Sequence, residues 1–413
     1  MRPGPFFWNE KVVRHSRARR LGSALALVLG SALLAGCGHT ALPGAGQTSA
    51  SPSIQQVKPS VEIREAHLLT PTSGWLLTND RLLTSTDDGN HWADVTPPSN
   101  TSAPLETAFF LNLSHGWAVV RSSQLSWASD SAPLDLFTTS DGGWHWNAHH
   151  MTATIPLDTP GPVYLTFIDA MRGWLVVDQG SHAGFMYYTG FRTTDGGQTW
   201  STLSYPQSAP VLFINQLDGF SADSADGPRS GTYVTHDGGL TWARVLVPPA
   251  GSSAVSPLFQ MPVFIDDRNG VLAGSLADPS GGTAAEVFYT TSDGGRSWSY
   301  AATVPNPDPQ SSAQLAGVMT GKVWLAAFVG PGPIAGRTYT RLKATQDGGR
   351  IWQWMPTILT GGFNTNEISF AGSTGWAIVV DAGCLGFKTD CFENSGLVQT
   401  VDAGVHWQQL SVT

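Results

Sequence analysis

Charge is scarce in this 413-residue chain: Asp, Glu, Lys and Arg together supply only 13% of it, about half the share of an ordinary soluble domain. Surface helices need such residues on their solvent faces, so the shortage argues against a helical architecture. Cationic residues are the scarcer sign, 22 Lys and Arg against 31 Asp and Glu, for a net charge of −9. A nucleic-acid binder has the opposite balance. Only three cysteines occur, Cys37, Cys384 and Cys391, and the two near neighbours cannot complete a zinc shell by themselves. No Gly-x-Ser-x-Gly elbow, phosphate loop or His-Glu-x-x-His is present, so the familiar enzymatic signatures find no support. The apolar run "LGSALALVLGSALLAG", Leu21 to Gly36, is too short and too rich in small residues to cross a bilayer comfortably.

What abounds is Gly (46), Pro (27) and Trp (16), within a chain that is 41% hydrophobic. That composition suits many short strands joined by tight turns, in one large domain or two ordinary ones. The apolar run fits a signal-peptide core instead, because Arg14, Arg17, Arg19 and Arg20 precede it. It ends in "LAGC", Leu34 to Cys37, which resembles a bacterial lipobox, with the Cys37 thiol as the lipid attachment point. An ordinary secretory signal with an incidental cysteine is the alternative, and the long basic segment points to a start downstream of Met1. Cleavage before Cys37 would remove six cations and Glu10, taking the net charge from −9 to −14. Lipid rather than charge would then hold the body at the membrane.

The expected division is therefore a lipoprotein signal peptide at 1–36, a lipidated cysteine and flexible Gly/Pro/Ser/Thr-rich tether at 37–60, and a folded body at 61–413, outside the cytoplasm. There an oxidised pair is permitted, and the six residues between Cys384 and Cys391 allow a local disulfide across a hairpin, with free thiols as the alternative.

One pattern organises the body. Ser/Thr-x-Asp-x-Gly-x-x-Trp occurs seven times, with aspartates at Asp87, Asp141, Asp195, Asp237, Asp293, Asp347 and Asp402 and tryptophans at Trp92, Trp146, Trp200, Trp242, Trp298, Trp352 and Trp407. Successive aspartates are 54, 54, 42, 56, 54 and 55 residues apart. Ahead of each turn runs a short β-rich stretch, "SGWLLT" at Trp75, "HGWAVV" at Trp117, "RGWLVV" at Trp174, then Phe220, Val271, Trp324 and Trp376 in the corresponding places. Each unit reads as four antiparallel strands, a sheet too small to bury its own two faces. Seven such sheets arranged radially bury one another's faces, which predicts an all-β, seven-bladed propeller. The first blade is expected to pack on the seventh, with a strand exchanged between them as the alternative.

These residues resemble the Asp-box, or bacterial neuraminidase repeat, over the whole body. Sialidases, sortilin-type receptors, xyloglucan-cleaving endoglucanases and the photosystem II stability/assembly factor family carry it, and the chain is most similar to the last. The resemblance implies turns between third and fourth strands, away from the central channel where propellers bind ligands. Read from the residues, each turn is a structural device: Asp accepts backbone N–H groups, the hydroxyl adds a partner and Gly takes a conformation others avoid. One carboxylate per turn serves neither calcium, which takes six to eight oxygens, nor glycoside chemistry, which needs two converging carboxylates. No metal or cofactor is expected. Sialidases use three converging arginines and an Arg-Ile-Pro signature, whereas this chain offers only Ile63-Arg64-Glu65.

Of the histidines, His145, His149 and His150 lie close in sequence, but alternation along a strand lets at most two share a site. Recognition is expected from Glu62, Arg64, Glu106, Asp169, Asn215, Asp266 and Glu367, polar residues near the first strands and hence the channel, with plain solvated loop ends as the alternative. The expected function is non-catalytic binding or assembly with a protein or peptide partner; the competing expectation is a glycan hydrolase.

Overall fold

The structure, a computed structural model, describes residues 53–55, 62–98, 105–122, 131–157, 161–182, 185–205, 210–223, 231–249, 257–278, 282–308, 311–331, 337–384 and 391–412. The expected signal peptide, Cys37 and all but three residues of the tether lie outside them. The strands form seven sheets, each built from four antiparallel elements in sequence order. Among the described residues there is no helix. The body is a seven-bladed β-propeller.

Blade 1 comprises Ile63–Thr70, Ser73–Thr78, Leu82–Ser85 and Ala93–Asp94. Blades 2 to 4 begin at Leu105–Phe110, Val163–Phe167 and Val211–Phe213. In blade 5 the first strand is split into Leu258–Phe259 and Val263–Phe264, and blades 6 and 7 begin at Ser312–Val318 and Gly362–Ala371. Every residue of Ser73–Thr78 is buried. A strand buried on both faces needs a neighbour on each side, which radial packing supplies.

The Gly-Trp pair has a packing reason. Trp117 stacks on Phe167 of blade 3 at 3.7 Å and 7°, and Trp174 on Phe213 of blade 4 at 3.6 Å and 6°. The turn tryptophans close the same rings edge-on, Trp200 against Phe167 at 81° and Trp242 against Phe213 at 78°. Each phenylalanine sits opposite a glycine: Phe167 pairs in register with Gly173, where a Cβ would fall 2.5 Å from the ring. Glycine thus makes room for the ring that the previous blade's tryptophan covers.

Blade 6 departs from the expected alignment. In six blades the residue that accepts the Asp-turn N–H lies three before the aligned position, as Met171 does for Trp174; in blade 6 it is Lys322, which makes Leu325 the equivalent. Trp324 is one residue out of step and therefore packs backward with Phe288 of blade 5, while Leu325 faces blade 7. A one-residue shift turns a strand side chain to the opposite face.

Blade 1 closes on blade 7 through a shared core of Ile63, Leu76, Trp376, Ile378 and Leu397. Both terminal sheets keep their own four strands, so the exchanged-strand alternative is not realised. The tether expectation needs one correction: Ser53–Gln55 forms a fifth strand of blade 6, parallel to Thr357–Leu359. The last strand of blade 6 is long, Gln353–Thr360, and its unpaired outer edge offers the backbone groups that a passing chain can use.

Candidate functional site

The seven Asp turns share one hydrogen-bond scheme. In blade 3 the Thr193 hydroxyl donates to Asp195 Oδ1 at 2.8 Å and accepts the Gly197 N–H at 2.9 Å. The same carboxylate accepts the Thr199 N–H, and Oδ2 takes the Thr199 hydroxyl. His91, His145, Thr241, Ser297 and His406 occupy that last role elsewhere. Blade 6 has Ile351 there, which contributes only its N–H to Asp347.

These bonds favour the charged carboxylate. The rings of His91 and His145 hold Asp87 and Asp141 at about 2, and the hydroxyls of Thr241 and Ser297 do the same for Asp237 and Asp293. At Asp195 desolvation pushes the other way, but the Thr199 bonds prevail and the result is again about 2. Asp347 is lowered chiefly by the Ile351 N–H, and Asp402 is lowered by the His406 bonds against desolvation. Each aspartate is thus engaged by its own turn. Among the described residues no group of three His, Cys, Asp or Glu could hold a metal ion.

Strands one and two, like strands three and four, join at the same end of a blade, so the first turn and the Asp turn are neighbours. The Gly196 N–H donates to Met171 O at 2.8 Å, and all seven blades repeat the bond. Three of the expected recognition residues lie in these first turns. Asp169 accepts the N–H groups of Met171 and Arg172 and pairs with the Arg172 guanidinium at 2.9 Å. Asn215 caps Leu217 and Asp218, and Asp266 caps Arg268 and Asn269. All three are turn caps on the Asp-turn face, because an Asx side chain satisfies the N–H groups of its own tight turn.

Glu62, Arg64 and Glu106 lie at the other end, where strand one begins. Glu62 is exposed and accepts the Asn79 side chain at 2.6 Å. Arg64 reaches across to blade 2 and donates to the carbonyls of Leu105 and Glu106, each at 2.6 Å. The carboxylate of Glu106, 8% exposed, is clasped by Arg121 at 2.7 Å. The side chain of Glu367 lies outside the described residues, as do many of the loops at this end.

The structure adds three residues that the sequence reading passed over. Glu65 accepts the Thr107 hydroxyl at 3.4 Å, and burial pushes its carboxyl up to about 7 against the pull of Arg64. His67 packs against Trp75 at 4.5 Å with the rings tilted by 32°, and burial lowers its imidazole to about 4. Arg121 completes the group. The available signal was a run of ionisable residues, Arg64, Glu65 and His67, inside a strand whose other members are Ile, Ala, Leu, Leu and Thr.

The three neighbouring histidines do not converge. His145 pairs with Asp141, His150 with Asp135 at 2.6 Å, and His149 meets the Thr138 hydroxyl at 3.4 Å. Cys384 and Cys391 are partners in register at the last pair before the segment that joins their two strands; their side chains lie outside the described residues.

No protein-family model matches this chain, and no curated protein matches it in sequence. Solved structures match in fold. YCF48 bound to a D1 peptide aligns with a TM-score of 0.50 at 17% identity, over 84% of this chain and 94% of that one. YCF48 from Cyanidioschyzon merolae gives 0.49 at 13% identity, over 83% and 96%. A GH74 xyloglucanase from Xanthomonas campestris gives 0.49 at 11%, over 86% and 68%. The fold shared with the first of these is the seven-bladed propeller that the sheets define.

Proposed function

We propose that this chain is an exported, lipid-anchored propeller that serves as a non-catalytic binding or assembly module for a protein or peptide partner at the bacterial cell surface. The observation that carries the reading is the polar cluster where the first strands of blades 1 and 2 begin. Arg64 and Glu106 hold the same place ahead of the Gly-Trp pair, where blade 3 has Val163. The repeat does not require charge there. With Glu65 and Arg121 they make a cluster of mixed charge held by hydrogen bonds, suited to the backbone and polar side chains of an extended segment. A propeller of the same fold solved with a D1 peptide supports a peptide as the class of partner. Cys37 supplies the anchor and Cys384 with Cys391 a hairpin disulfide in this reading.

Crosslinking with mass spectrometry in the native host tests it. Partner crosslinks should map to the start of the first strands of blades 1 and 2 and weaken in Arg64→Ala; crosslinks confined to other surfaces would overturn the assignment. Palmitate labelling should vanish in Cys37→Ser. Glu65 favours a second reading, a glycan hydrolase, because a carboxyl raised to about 7 beside a second one, Glu106, suits a general acid. Turnover of a sialoside or glucan that Glu65→Gln abolishes would put that reading in first place.

A further inference from the structure

The Asp-turn face was assigned a purely structural part by its regularity, yet it differs sharply between blades at its solvent-facing positions. In blades 2 to 4 these positions carry Leu113 (47% exposed), Trp144 (71%), Met171 (51%), Leu217 (47%) and Leu240 (60%). Blade 1 has Thr72 and Asn90 in the corresponding turns, blade 3 has Gln198 after its second glycine, blade 5 has Arg268 and Arg296, and blade 6 Lys322 and Arg350; Ile265 (40%), Ile351 (63%) and Val401 (60%) are exposed in the turns of blades 5, 6 and 7, one to a blade, whereas blades 2 and 4 carry two each. Single exposed apolar side chains need no explanation, but a run across three adjoining blades marks an interaction surface. The blades do adjoin here: Trp117 Nε1 donates to Gly196 O at 3.0 Å, and Trp174 Nε1 to Gly238 O at 3.2 Å, tying the turns of blades 2, 3 and 4 together.

Charge selects the occupant. The seven turn aspartates stay ionised, and Asp88, Asp169, Asp218, Asp266 and Asp267 join them on this face. Against them stand Arg172, Arg192, Arg268, Arg296, Lys322 and Arg350, of which Arg172 and Arg296 are already paired with Asp169 and Asp218. An anionic bilayer is repelled by such a surface, and so is the same face of a second copy. A segment that brings apolar side chains together with lysine or arginine is attracted and gains apolar burial. We propose that the Asp-turn face of blades 2 to 4 is a docking surface for a cationic, apolar peptide segment of a partner protein. It stands apart from the polar cluster of blades 1 and 2, since none of its residues belongs there.

The test is hydroxyl-radical footprinting of the detergent-solubilised full chain with a short peptide of lysine, leucine and tryptophan, and with its glutamate-for-lysine counterpart. The lysine peptide should protect Trp144, Met171 and Leu240, added salt should weaken it, and the double variant Trp144→Ser, Leu240→Ser should lose affinity about tenfold or more. Leu246→Ser, at a site 86% exposed elsewhere in blade 4, should bind as the parent does. The proposal is overturned by any of four results: no protection by the lysine peptide, equal binding of the glutamate peptide, protection by phosphatidylglycerol vesicles alone, or protection that rises with protein concentration without peptide.

Discussion

Gly173→Ala puts the explanation of the Gly-Trp pair to a direct test. Gly173 does not have a positive φ, so alanine can adopt its backbone and the effect reports on space alone. The added methyl would lie 2.5, 2.5 and 2.6 Å from three atoms of the Phe167 ring. That ring cannot slide away, because Trp117 is stacked on one face at 3.7 Å and Trp200 meets it edge-on at 6.2 Å. Overpacking of this kind costs about 1–3 kcal/mol. Gly321→Ala is the contrast: its methyl meets nothing nearer than Ile265 Cδ1 at 4.0 Å, and a change within about 0.5 kcal/mol is expected. Urea denaturation followed by fluorescence gives both midpoints. Combining Gly173→Ala with Phe167→Leu should recover about 1 kcal/mol relative to the sum of the single changes, since neighbours that clash are non-additive. If Gly173→Ala matches the parent midpoint, or Phe167→Leu gives no recovery, the glycine is there for another reason.

Three further outcomes follow from the geometry. Asp87, Asp141, Asp195, Asp237 and Asp293 are depressed to about 2 in the folded chain, so their contribution is present above the unfolded carboxylate value and lost as pH falls from about 4 to about 2; a denaturation series over that window should show the loss, and Asp195→Asn should flatten it. Glu65 and His67 act oppositely: Glu65, raised to about 7, favours the fold when protonated and loses that contribution as pH rises from 4.5 through 7, whereas His67, lowered to about 4, loses its contribution as pH falls from 6.5. Glu65→Gln should therefore gain on the parent in denaturation midpoint as pH rises through that window. Ile54→Pro removes a backbone donor from the parallel strand beside Thr357–Leu359, and hydrogen exchange at those three residues should quicken while the other blades keep their protection.

The fold was legible because its signal is repeated. Seven turns at nearly equal spacing count the blades, and the short strands between them fix the sheet size. Position-by-position register was less legible. In "GKVWLAA" the tryptophan invites alignment with Trp174, but the acceptor Lys322 places Leu325 there, a difference of one residue that decides which neighbouring blade a side chain meets. The expected recognition residues divided for a similar reason. Asp169 and Asp266 stand a few residues before a turn glycine, and the Asx capping that this spacing favours outweighs their nearness to a first strand. Arg64 and Glu106 stand near the start of their strands, at the opposite end of the blade, and are joined to each other across blades 1 and 2.

The same geometry explains why the face that looks most uniform in sequence can still carry specificity. In each Asp turn the aspartate, the hydroxyl, the second glycine and the tryptophan are bound to one another or packed on the next ring. The residue after the second glycine gives the turn only its backbone, as Arg350 N–H does to Asp347 Oδ1 at 3.0 Å, and its side chain varies: Asn90, Trp144, Gln198, Leu240, Arg296 and Arg350. A clamp that fixes every neighbour of a position presents that position rigidly to solvent, which lowers the entropic cost of using it for contact. Structural constancy and variable recognition therefore occupy adjacent residues of one turn, and Trp144 with Leu240 is where the difference between blades is largest.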